Sequence, residues 1–153
     1  MQKKINIQNK KARFEFEILD KYVAGIQLTG TEIKSIRQSK ARITESFCEF
    51  NERGELFIVN MYIEEYLYGH HFNHNPKSER RLLLNKRELR SLKKDVEAKG
   101  NTIVPLKLFI NDRGFAKLEI ALAKGKQTHD KRNVIKDRDN KRDLARIKKS
   151  FNA

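Results

Sequence analysis

Residues 123 to 153 constrain the fold more than any other stretch, because they cannot build a core. They hold eleven Lys or Arg against four Asp, and their sizeable apolar residues are only Val134, Ile135, Leu144, Ile147 and Phe151. The folded body must therefore come from residues 1–122, which is about one ordinary domain. Leu144, Ile147 and Phe151 recur at i, i+3 and i+7, so roughly Asp137 to Lys149 has the period of a helix with a thin apolar stripe. A short helix crowded with like charges is marginal in water. The tail is expected to be disordered when free and helical when docked.

The tail's net +7 is half of the chain's +14. Such an excess concentrates phosphates, which puts nucleic acid first among partners. There is no apolar run near the roughly 20 residues that cross a bilayer, and there is no Trp, so no membrane is expected. The start, MQKKINIQNKK, is basic without the apolar stretch of a secretory signal, which predicts a cytoplasmic protein. The lone cysteine, Cys48, lies in the strand-like FCEF and is expected to be a small buried hydrophobe.

Arg13 to Leu19 alternates Phe14, Phe16 and Ile18 with glutamates, the period of a half-buried strand. Val23 to Leu28 is a second run, and Asp20-Lys21-Tyr22 is taken as a hairpin link between them. Thr29 or Thr31 can cap a short helix in which Ile33 and Ile36 face inward and Glu32, Lys34, Ser35 and Arg37 face outward. Phe47 to Asn51 and Glu55 to Asn60 flank Glu52-Arg53-Gly54, a hairpin pattern. Residues 66–81 read as a loop. Asn85 can cap a helix over about Lys86 to Lys99, stopped by Gly100. Strands Ile103 to Ile110 and Phe115 to Leu122 follow, joined by Asp112-Arg113-Gly114, with Pro105 expected at an edge or strand start. The pattern predicts a mainly β chain: an OB-like antiparallel barrel of about six strands with two or three short helices, and a basic C-terminal tail over 123–153.

Five segments together resemble the SmpB family, the SsrA-binding small protein B that partners transfer-messenger RNA in bacterial ribosome rescue. They are N-K-K-A-R-F at 9–14, A-G-I-Q-L-T-G-T-E-I-K-S at 24–35, R-R-L-L-L at 80–84, A-K-G-K at 123–126 and H-D-K-R at 129–132. They occur in the family's order and span nearly the whole chain. The resemblance implies a barrel that holds the tRNA-like domain of transfer-messenger RNA, a tail that occupies the empty decoding site and mRNA channel of a stalled ribosome, and no catalytic step. By position it assigns Asn9, Glu32, Leu83 and Lys117 to RNA engagement, and the cations beside them, Lys10, Lys11, Arg13, Lys34 and Arg37, join that set. Gly125, Asp130, Lys131, Arg132 and Ile147 match tail positions tied to the ribosome, and Lys126, Lys136 and Arg138 belong with them. Lys148 departs from the pattern, since many members have a second apolar residue there. The implied partners are transfer-messenger RNA, the ribosome through its 16S rRNA, and elongation factor Tu through the charged RNA complex, with the protein acting as a monomer and without a cofactor.

On physical grounds, Lys117 stands out of phase with Leu118, Ile120 and Leu122 and so projects from the opposite face of its strand. Leu83 lies in a leucine triplet where core and RNA contact are both open. Glu32 is an odd phosphate partner, and a helix first-turn role is the alternative. Tyr22, Phe14 and the histidine loop are candidate stacking platforms. His70, His71 and His74 suit zinc or copper, but no Cys or acidic partner stands at a finger-like spacing, so no metal site is assigned. A metallonuclease using that loop is the enzyme alternative. A general ribosome-associated RNA-binding protein or chaperone is the other.

Overall fold

The computed structural model describes residues 4–98 and 100–126. Its elements in chain order are β1 (Asn6–Gln8), α1 (Lys10–Glu15), β2 (Phe16–Ile26), α2 (Gly30–Arg37), β3 (Ala41–Arg42), β4 (Phe47–Phe50), β5 (Leu56–Val59), β6 (Tyr62–Ile63), β7 (Arg80–Leu83), α3 (Lys86–Val96), β8 (Asn101–Ile110) and β9 (Ala116–Gly125). Six strands close a ring in the order β8-β4-β5-β7-β2-β9, and β9 returns to β8. Every pairing is antiparallel. This is the OB-like barrel expected from the alternating runs. β1 adds to the outside of β8, and β3 pairs with β6 in a separate ribbon.

Inward residues of the ring, among them Ala24, Ile58, Leu82, Ile103, Leu118 and Ile120, are almost wholly buried, and Ile36 of α2 and Leu92 of α3 join them. Each large aliphatic side chain so buried contributes about 1.5–3 kcal/mol. Cys48 sits in this core, where burial pushes its thiol up, as its strand position suggested. Val104, Leu106, Ala121 and Ala123 form a second, smaller core beneath Ala12 of α1. β9 is therefore covered on both faces over its later half, and the folded body runs beyond residue 122.

Several expectations need correction. Arg13 to Glu15 belongs to α1, a helix capped by Asn9, and the strand begins only at Phe16. The supposed hairpin at Asp20-Lys21-Tyr22 is the middle of one strand: β2 pairs with β9 from Phe16↔Gly125 to Gly25↔Lys117, with a bulge between Ile18 and Asp20. Asp20-Lys21-Tyr22 has no glycine to follow the Asp in a two-residue turn, whereas a bulge absorbs one extra residue without reversing the chain. Pro105 is neither at an edge nor at a strand start. It lies inside β8 at a second bulge, between the stretch paired with β1 and the residue paired with β4, where a missing N–H is tolerated.

α2 carries the expected cap and an unexpected orientation. Thr29 accepts from Glu32 N at 3.4 Å, while the Glu32 carboxylate accepts from Thr29 N at 2.9 Å, closing a capping box. Glu32 and Ser35, expected outward, are buried to 3% and 0% exposure. The connection from β6 to β7 covers that side of the helix and brings Arg80 beneath it. Arg80 Nε pairs with Glu32 Oε2, Nη1 donates to Met61 O at 2.7 Å, and Nη2 donates to the carbonyls of Asn75 (3.2 Å) and Pro76 (3.1 Å). Arg80→Ala would leave the buried Glu32 carboxylate without its cation and take one donor from each of the Met61, Asn75 and Pro76 carbonyls. A loss of about 3–5 kcal/mol is expected, read from the urea midpoint. A loss below about 1 kcal/mol would show that water replaces the guanidinium freely.

Candidate nucleic-acid interface

Strand alternation sends Lys117 outward between buried Ala116 and Leu118, and the ladder sets it opposite Gly25, which in turn lies opposite Leu83. Glycine at this position leaves these two side chains room to approach over the strand between them. A Cβ built on Gly25 would lie 3.3 Å from Leu83 Cβ and 3.7 Å from Lys117 Nζ. Leu83 is 45% exposed, so the leucine triplet divides into an inward Leu82 and an outward Leu83. The same row continues to Phe109, the partner of Lys117 on β8. In the next row Val23, half-exposed, lies opposite Glu119, and Glu119 lies opposite Lys107. Lys107 Nζ is 5.1 Å from the Phe109 ring centroid and 3.9 Å from Glu119 Oε2. Two lysines thus stand among apolar surface on an open sheet face, a combination that meets phosphates together with ribose and base edges. Gly25, Phe109, Lys107 and Val23 were not singled out in the sequence. A glycine inside a strand pattern is the one signal that could have marked this spot.

The other residues assigned to RNA divide by burial. Asn9 is 4% exposed and structural: its Oδ1 accepts from Ala12 N at 3.2 Å, and its Nδ2 donates to Pro105 O at 2.9 Å and Ile43 O at 3.4 Å. It caps α1 and ties it to β8. Glu32 is enclosed with Arg80. Neither residue reaches the surface that Lys117 and Leu83 share. Lys10, Lys11 and Arg13 are exposed on α1, and Lys11 pairs with Glu45 and lies 3.7 Å from Glu15. The hydrogen bond and charge of Glu45 push the Lys11 ammonium up, so it stays protonated. Lys34 is exposed on α2 with its ammonium 5.4 Å from the Tyr66 ring. Arg37 is exposed and borders a cleft with Lys4, Ile5 and Asp112.

Gly125 ends β9, and its N–H donates to Gly100 O at 3.2 Å; the Lys126 N–H donates to Glu15 O at 3.2 Å. Asp130, Lys131, Arg132, Lys136, Arg138 and Ile147 lie outside the described residues, as does the expected tail helix. Of the candidate platforms, Phe14 is half-exposed with Lys126 Nζ 5.7 Å from its ring. Tyr22 packs against the core, and burial pushes its phenol up. His74 is buried with both ring nitrogens engaged. Ile63 O can only accept, so Nε2 carries the proton at 3.0 Å and Nδ1 accepts from the Thr31 hydroxyl at 2.9 Å. No group of three or more metal-ligating side chains occurs among the described residues, and no described helix is long and apolar enough to cross a membrane.

The family model described as SmpB protein matches residues 6–150. The chain belongs to the SmpB family. An SsrA-binding protein of Flavobacterium psychrophilum is 68% identical over 151 residues, covering 99% of this chain and 100% of that protein. An SsrA-binding protein of Brucella anthropi is 54% identical over 145 residues, covering 95% and 91%. Among solved structures, a chain described under "tmRNA-SmpB: a journey to the center of the bacterial ribosome" superposes with a TM-score of 0.68 at 48% identity, covering 81% of this chain and 86% of that one. For a member of the SmpB family, the burial of Asn9 has a measurable consequence. Asn9→Ala removes a helix cap and the side-chain donor that ties α1 to Pro105 O, so a stability loss of about 1–3 kcal/mol is expected in thermal unfolding. An unchanged melting temperature would mean that Asn9 works through solvent and not through the fold.

Proposed function

We propose that this chain binds the tRNA-like domain of transfer-messenger RNA and delivers it to stalled ribosomes for rescue. The observation that carries the proposal is the row Leu83–Gly25–Lys117, where an apolar side chain and an ammonium meet on an open barrel face. Relatives that are SsrA-binding proteins along almost their whole length support it. Lys117 supplies charge to a phosphate, Leu83 rests against ribose or base, and Lys107 extends the cationic surface. Structured RNA is held by such shape and backbone contacts more than by groove readout. Asn9 and Glu32 act indirectly, the first by fixing α1 and the second by holding Arg80.

The division of labour follows from charge. The barrel selects the RNA, and residues 127–153 serve a second RNA surface, the decoding centre and mRNA channel with their 16S rRNA. Phosphates lining that channel offset the repulsion that keeps the isolated tail from folding. Elongation factor Tu joins through the charged RNA, the protein acts as one copy without a cofactor in the cytoplasm, and binding alone is its contribution.

Lys117→Glu is expected to lower affinity for transfer-messenger RNA about tenfold or more, measured by filter binding. Its log affinity should also fall less steeply with log salt, by about one phosphate's share. Excess transfer RNA competing as well as transfer-messenger RNA would instead favour a general RNA chaperone. Removing residues 130–153 is expected to leave RNA binding largely intact and to abolish peptide tagging on stalled ribosomes in a reconstituted translation assay. Tagging by the shortened chain would refute the role given to the tail.

A further inference from the structure

Three large apolar side chains left in water lie within one short stretch: Leu67 is 73% exposed, Tyr68 67% and Phe72 91%. They stand on the connection between β6 and β7, on either side of the turn that begins the 3-10 segment His70–Phe72. Leaving a Phe in solvent forgoes the stabilisation its burial would contribute. A floppy loop could at least fold such residues back, but this one is held at its root. Asn73 clamps Tyr66 from both sides, with Tyr66 N donating to Asn73 Oδ1 at 3.0 Å and Asn73 Nδ2 donating to Tyr66 O at 2.6 Å. Gly69 N donates to Tyr66 O at 2.9 Å, and Phe72 N donates to Gly69 O at 3.1 Å. A Cβ at Gly69 would fall 2.6 Å from Asn73 Nδ2, so the chain closes there only because that residue is glycine. Beyond the clamp, His74 bonds to Thr31 and Ile63, and Arg80 binds the carbonyls of Asn75 and Pro76.

The surroundings decide what such a display meets. Tyr66 and Tyr68 stand edge to face, with centroids 5.6 Å apart. Lys34 lies over Tyr66, Lys40 meets the loop root where Glu64 N donates to Lys40 O at 2.9 Å, and Arg37, Lys40 and Lys77 are exposed. Lysine is depleted from the centres of protein–protein contacts, while exposed rings beside cations are how unpaired bases and their phosphates are held. Glu64 and Glu65 at the root disfavour phosphate on their own side, which leaves the Lys34 side for the backbone and the ring tips for bases.

We propose that the 66–72 loop is a second RNA contact, distinct from the Lys117 face, on which unpaired bases stack against Tyr68 and Phe72 while Lys34 neutralises an adjoining phosphate. It rests on the RNA-binding function proposed above and extends it to single-stranded RNA. Arg80, which holds the chain beyond the loop, begins the strand that ends at Leu83, three residues or about 10 Å further on. Arg80 and Glu32 then matter to RNA because they set the loop that carries the rings.

The test uses the full chain, whose Phe72 is exposed enough that substitutions spare the fold. Titrated with an oligoadenylate of about ten nucleotides, the Phe72 and Tyr68 ring protons should move upfield in NMR spectra. Phe72→Ala and Phe72→Leu should each weaken binding about tenfold with an unchanged salt slope, and Phe72→Trp should retain it. Full binding by Phe72→Leu would make the residue a hydrophobic contact for a protein and overturn the proposal, as would full binding by Phe72→Ala. Lys117→Glu, measured in parallel on transfer-messenger RNA, separates the two failures. If it weakens binding while Phe72→Ala has no effect on either RNA, only the loop proposal falls. If neither matters, the RNA-binding function falls with it.

Discussion

The guanidinium of Arg80 is the point at which α2, the β5–β6 corner and the long connection are tied to β7. It is 3% exposed, faces the carboxylate of Glu32, and donates to three carbonyls on two other parts of the chain. Placing a cation inside a small protein is unfavourable unless nearly every donor finds an acceptor, and four of the five N–H directions of Arg80 do so here. α2, the β5–β6 corner, the long connection and β7 can therefore shift only together. The same carboxylate also closes the capping box of α2, so helix and connection share one charge.

This dependence explains why residues resembling RNA contacts sort into two kinds. Lys117 and Leu83 present side chains to solvent on one row of the sheet. Asn9 and Glu32 have none to present, since each is consumed in holding an element against the barrel. A carboxylate beside a polyanion is a puzzle only if it touches the polyanion. Enclosed with Arg80, Glu32 shapes the surface from beneath.

Much of the barrel was legible because its strands are wet on one side. Alternation marked β4, β5, β8 and β9, and Thr29 and Asn85 were among the residues that marked two helix starts, both of which the structure closes as capping boxes with Glu32 and Glu88. The failures have physical causes. α1 spans six residues, too few for a helical period to overrule the alternating F-E-F-E run. The bulge near Leu19 shifts the phase of β2 midway, so one strand looked like two. The burial of Glu32 was out of reach because its partner is 48 residues away. For Lys117, flanking apolar residues settled the face; for Leu83, three consecutive leucines could not, and only the pairing with Gly25 did.

The last strand ends against α1. Phe16 lies opposite Gly125, Glu15 accepts from Lys126 N, and the Lys126 ammonium lies over Phe14. Eight residues of β9, about 26 Å, separate that exit from Lys117. The chain thus leaves β9 with a heading imposed by the barrel, at the far end of the strand from the row that carries Lys117 and Leu83. Because β9 is tied to α1 at its end, the exit at Lys126 and the row at Lys117 are held one strand length apart.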